Sequence, residues 1–120
     1  MGTSSVHTQL FQGQLGLDDP GDAGVIRATR DLDFCELTSS ASGETRTLEA
    51  PTRAGIRLVL RLLTDGGGDI IVYAAAGFNR DSETYATFAD AGDLLSLISV
   101  TTATGYRWEI IDGNIGVSLA

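Results

Sequence analysis

The side chains in this 120-residue chain that could do chemistry are few and poorly placed for it. His7 is the single histidine and Cys35 the single cysteine. A hydrolase needs a nucleophile backed by a base. Ser39, Ser40, Ser42, Ser82, Ser96, Ser99 and Ser118 all lack the strand-turn-helix setting of a nucleophile elbow, and His7 is remote from them in the chain. Glu44, Glu49, Asp81 and Glu83 are the carboxylates to weigh as an opposed acid and base pair, and their setting reads as a solvated edge. One histidine and one cysteine cannot complete a four-ligand zinc site, and a lone cysteine forms no intrachain disulfide. In the alternation of LDFCELT, Cys35 lies opposite Leu32, Phe34 and Glu36 and reads as a small buried hydrophobe. The run TDGGGD has the glycines of a phosphate cradle but neither the following lysine nor a helix start. Asp18, Asp19 and Asp22, or Asp90 and Asp93, lie in loops where calcium ligands could converge, without the EF-hand spacing. The expectation is a protein that is not an enzyme and carries no cofactor.

The elements that would position these residues are strands. Ile56, Leu58, Leu60 and Leu62 fall at period two, while Arg57, Val59, Arg61 and Leu63 share the opposite face, as a half-buried strand requires. Gly66, Gly67 and Gly68 then free the backbone for what reads as a hairpin corner before the apolar run Ile70 to Ala75. From residue 24 onward the same alternation recurs in GVIRATR, DLDFCEL, TRTLEA, IRLVLRLL, DIIVYAA, TYATFA, LLSLISVTT, GYRWEII and NIGVSLA, with turn residues between. In GYRWEII, Tyr106, Trp108 and Ile110 share one face, which reads as core. No repeat of solenoid length is visible. The pattern predicts an all-β domain over residues 25–120, an antiparallel β-sandwich or jelly-roll-like barrel, with an extended N-terminal arm over residues 1–24.

The arm carries Val6, Leu10, Phe11, Leu15 and Leu17 without an arginine, and VHTQLF admits a short strand. Glycines 13 and 16 and the DPGD stop prevent a longer one. Those five apolar residues are the expected partner-binding arm, each contributing roughly 1.5 to 3 kcal/mol if buried, before the cost of ordering the arm.

Charge narrows the partners. Eight arginines and no lysine face 16 carboxylates, for a net charge of -8. Eight acids fall in each half of the chain, so the acidity reads as diffuse and no basic stripe is available to displace counterions from nucleic acid. No segment reaches the length of a membrane span, and the N-terminal residues lack the basic start and apolar block of a signal peptide, so the chain is expected to be made in the cytoplasm.

Residues 31–120 resemble, in layout, the small β-rich decoration or cement proteins and head-fibre modules of tailed-phage capsids. The stretches that carry the resemblance are ELTSSASGETRTLEAPTRAG as a leading strand pair, IRLVLRLLTDGGGDIIVYAAAGFN as a central hairpin, ATFADAGDLLSLISV as the return, and YRWEII before GVSLA. The resemblance implies a virion structural protein, a dimer or trimer that sits on the outer capsid surface and bridges copies of the major capsid protein. Arg53, Arg57, Arg61 and Arg107 would then pair with carboxylates of the shell. The rival expectation is a receptor- or carbohydrate-binding β module of a phage fibre or tail protein, using Tyr73, Tyr85 or Trp108 as a platform.

Overall fold

The computed structural model describes residues 16–80 and 82–120, and every regular element among them is a strand. In chain order these are β1 (Gly16–Leu17), β2 (Gly24–Ile26), β3 (Leu32–Thr38), β4 (Glu44–Leu48), β5 (Arg57–Thr64), β6 (Ile70–Tyr73), β7 (Tyr85–Phe88), β8 (Leu94–Thr102), β9 (Gly105–Ile115) and β10 (Ser118–Leu119). They build two sheets of five strands. The first runs β1-β3-β5-β8-β9 and the second β10-β7-β6-β4-β2.

The all-β expectation holds, but the sheets are mixed rather than antiparallel, and they do not close into a barrel. The first six strands alternate between the sheets and pair in parallel within each. Gly16 lies beside Phe34 and Phe34 beside Val59 in the first sheet, while Gly24, Arg46 and Val72 line up across the second. Each two-strand turn therefore stacks on the one before it, as in a short solenoid. Unequal sequence steps between stacked residues leave no fixed period, which is why no repeat is visible in the chain. Four antiparallel strands finish the stack, with β8 and β9 on the first sheet and β7 and β10 on the second.

The glycine corner is therefore not a hairpin. Thr64 ends a strand of the first sheet and Ile70 begins one of the second, so residues 65–69 cross between layers, as residues 39–43 do one turn earlier. Glycine is needed for the stacking of these two corners. A Cβ on Gly66 would collide with the carbonyl oxygen of Ser39, and one on Gly68 with that of Ser42. Gly68 N–H donates to the Ser40 carbonyl at 2.9 Å, fixing one corner on the other. The predicted corner at DGN also differs. Asp112 (φ 64°) and Gly113 (φ 129°) form a bulge inside β9, where the register with β8 shifts between Leu95 and Leu97.

The core lies between the layers. Ile56, Leu58, Leu60 and Leu62 are buried as their spacing predicts, and face Leu48, Ile70, Val72, Ala86 and Phe88 of the second sheet. Cys35 is buried beside Asp33 and Leu37 on the inner face of β3. Trp108 is 1% exposed, and its indole N–H donates to the Glu49 carbonyl at 3.1 Å, tying the first sheet to the loop after β4.

Candidate docking face

Because β-strand side chains alternate, each sheet presents one face to the core and one outward. The outer face of the first sheet carries charge. Arg61 pairs with Glu36 and Arg107 with Glu109, each at 2.9 Å, and Arg57 reaches Asp112 at 3.1 Å. Arg53, at the end of the sheets, pairs with Asp31 at 2.8 Å. The four arginines expected to seek shell carboxylates thus have partners within the chain.

The outer face of the second sheet differs. Strand register aligns Val25, Thr47, Tyr73 and Tyr85 in one row and Thr45, Ile71, Thr87 and Ser118 in the next. No charged side chain stands among these eight. Val25, Ile71, Tyr73 and Tyr85 are 36 to 49% exposed, and the rings of Tyr73 and Tyr85 lie 5.3 Å apart at 46°. For a chain of net charge -8 this is a conspicuous omission, since exposed sheet surfaces are ordinarily interrupted by charge to keep them apart. The sequence marks it only through alternation: Thr45 and Thr47 flank buried Arg46, and Ile71 and Tyr73 flank buried Val72.

The charge missing from this face is concentrated at one end of the sandwich. The loops over residues 18–23, 65–69 and 89–93 all lie at the end where β4 and β6 begin, and carry Asp18, Asp19, Asp22, Asp65, Asp69, Asp90 and Asp93 without an arginine. The acidity that looks diffuse along the chain is thus polarised in space. Several of these carboxylates accept from backbone N–H groups of their own loop or of a neighbouring strand. Asp93 accepts from the N–H groups of Ala89 and Asp90, Asp65 from Gly67, and Asp22 from Thr45. Among the described residues no cluster of His, Cys, Asp or Glu could hold a metal ion.

Asp19 has the most demanding role, one that sequence reasoning missed. Arg46 occupies an inward position of β4 with its side chain fully buried, and Asp19 clamps its guanidinium at 2.7 and 3.1 Å. Glu44 adds a contact at 2.9 Å, and the carbonyls of Thr45 and Thr38 accept from Nη1 and Nη2 respectively. Burial pushes the Asp19 carboxyl up, but Arg46 and the N–H groups of Thr38 and Gly21 outweigh it and leave the group below its ordinary value. Glu44 is lowered by its hydrogen bonds with Ser40 and by Arg46. Cys35 lies beneath this clamp, with its sulfur 3.8 Å from the Asp18 carbonyl, and burial together with the Asp19 charge raises its thiol to about 12.

The carboxylates weighed as an acid and base pair stand apart where they are described. Glu44 starts β4 at the acidic end and is held by Arg46, whereas Glu49 lies past the opposite end of that strand, paired with Arg27. Ser99 is buried, donating to the Arg53 carbonyl and accepting from Ile56 N–H. His7 and Asp81 lie outside the described residues, as do Val6, Leu10, Phe11, Leu15 and the strand expected at VHTQLF. Leu17 is described, and it belongs to the folded domain: it lies in β1 beside Cys35 and packs against the core. Among the described residues the sheets begin at Gly16, within the span 1–24 expected as the arm.

No family model, no curated protein and no solved structure matches this chain.

Proposed function

We propose that this chain is a non-catalytic structural protein of a tailed-phage virion, a decoration or cement protein that docks on the outer surface of the shell. The observation that carries the docking part is the uncharged outer face of the second sheet, set on a molecule whose other surfaces are charged. Such a face meets a partner without desolvating charge, and its two rows of β-branched and aromatic side chains are flat enough to lie along a capsomer. The phage shell as partner, with the major capsid protein beneath and other copies beside, comes from the order of strands that underlies the layout resemblance. Of that layout, the leading strand pair and the central hairpin are replaced by crossings, since β3 and β4, like β5 and β6, lie in different sheets. Residues 1–15, with Val6, Leu10, Phe11 and Leu15, supply the second half of the attachment.

The test is co-sedimentation with undecorated shells. Full-length protein is expected to sediment with them, Ile71→Asp to remain in the supernatant while keeping its circular dichroism, and a chain lacking residues 1–15 to bind more weakly. Equal binding by Ile71→Asp would remove the face from the proposal.

A receptor- or carbohydrate-binding module is the second reading, and the Tyr73 and Tyr85 pair favours it, since two exposed rings beside threonine hydroxyls offer a stacking surface for a sugar. Trp108 is buried and drops out of that platform. Glycan-array binding lost in Tyr73→Ala, with shell binding absent in the parent, would select this reading.

A further inference from the structure

The solenoid-like stack has a first turn, Gly16–Ile26, that is built unlike the rest. Its strands are two and three residues long, and among the described residues they are the edge strands β1 and β2 of the two sheets. Of the buried core it supplies only Ile26, with Leu17 packed at the margin. Polar contacts do most of the holding, and they converge on one loop: Asp19 on Arg46 and Thr38 N–H, Asp22 on Thr45 N–H, and Ala23 N–H on the Thr45 carbonyl at 2.8 Å. If this turn lifts, Arg46 loses Asp19 but keeps Glu44 at 2.9 Å, so its charge is not left alone. Ala28 lies in the hinge and Cys35 loses its cover, while the rest of the core, from Leu37 to Val117, stays between the remaining strands. Stability is not uniform across a fold, and segments with little apolar burial open first.

Lifting the turn bares the edges of β3 and β4 side by side, in two layers at once. We propose that Gly16–Ile26 is a detachable cap and that the paired edges it leaves take the same segment from a second copy of this chain. The occupant follows from the geometry. The edges of β3 and β4 accept a two-strand turn in parallel register, with a carboxylate placed to meet Arg46, and the segment that meets all three demands is the cap itself. Residues 27–31, between β2 and β3, are the hinge over which copies would exchange.

The full chain contains both reporters the test needs. Cys35, the only cysteine, is sealed under the cap, and Trp108, the only tryptophan, lies in the body of the core. The probe is 4,4′-dithiodipyridine, whose disulfide the Cys35 thiolate attacks to form a mixed disulfide, releasing one thiopyridone that is read by absorbance. In urea well below the Trp108 unfolding transition, labelling is expected to proceed through an opening nearly independent of urea. Asp19→Asn should accelerate it by about tenfold or more, as loss of a charge-assisted contact implies. Glu44→Gln should act in the same direction and more weakly, and serves if Asp19→Asn does not fold. Ordinary and isotopically heavy chains mixed at high concentration are expected to give mixed dimers by native mass spectrometry, more of them for Asp19→Asn. Labelling whose urea dependence matches the Trp108 transition would overturn the proposal by showing that the cap leaves only on global unfolding. Monomers alone at every concentration, with labelling still local, would overturn it by showing that the bared edges do not accept a second copy.

Discussion

At the scale of single residues, the fold's least replaceable polar contact is the one between Asp19 and Arg46. A charge taken fully out of water has to be matched, and Asp19 and Glu44 do the matching. The sign of the pH effect follows from Asp19 lying below its ordinary value in the folded state. The stability it contributes is fully present above about pH 3.9, the unfolded aspartate value, and is lost as pH falls through the lower folded value. Urea unfolding of the parent is therefore expected to weaken steeply below about pH 4, and that of Asp19→Asn to be lower at neutral pH with a smaller further loss on acidification. Parallel pH curves for the two proteins would show that the clamp contributes nothing. Trp108 makes the contrasting case of an apolar anchor. Trp108→Ala is expected to cost about 3 to 5 kcal/mol by urea unfolding, a large share of a small domain's stability. The sequence shows Trp108 as core through its alternation with Arg107 and Glu109, although Tyr106 on the same expected face is 37% exposed and Ile110 only partly buried. It hides Arg46, because an arginine between two threonines has the pattern of a surface strand, and only the return of Asp19 across the stack makes that position an interior one.

At the scale of elements, most strands are legible because a two-residue period survives in any sheet, parallel or not. What the period cannot express is which sheet a strand joins. IRLVLRLL, the glycine run and DIIVYAA have the same appearance whether the chain reverses within a layer or crosses to the facing one, since glycine serves both. The discriminating fact is the close passage of residues 65–69 over residues 39–43, a contact between segments remote in sequence. It has a direct test. Gly68→Ala places a methyl on the Ser42 carbonyl and is expected to cost more than about 1 kcal/mol, the ordinary penalty of a misplaced glycine substitution. Gly43→Ala meets only the Asp69 carbonyl at 3.9 Å and should change urea stability by less than about 0.5 kcal/mol. A hairpin at this corner would leave both positions open and make the two substitutions equivalent.

At the scale of the whole molecule, the distribution of charge separates two ways of meeting a partner. The acidic end would attract a basic surface through ion pairs, whereas the uncharged face of the second sheet would associate by burying apolar and hydroxyl side chains. Five strands at a spacing of about 4.8 Å, two rows deep, make a patch of roughly 300 to 400 Å², well short of the ~800 Å² per partner that a lasting complex usually needs. A single copy attached by this face alone should therefore be held weakly. Retention on a shell would depend on the added contacts of residues 1–15 and on many copies acting together. Salt distinguishes the two surfaces, because exposed ion pairs are screened and apolar burial is not. Binding to shells is expected to change little between about 0.05 and 0.5 M salt, over which the Debye length falls from roughly 14 to 4 Å. Thr47→Lys, which puts one charge in the middle of the face, should reduce binding at both salt concentrations. If parental binding collapses at high salt while Thr47→Lys binds normally, the acidic end is the surface that docks, and the partner is a basic one.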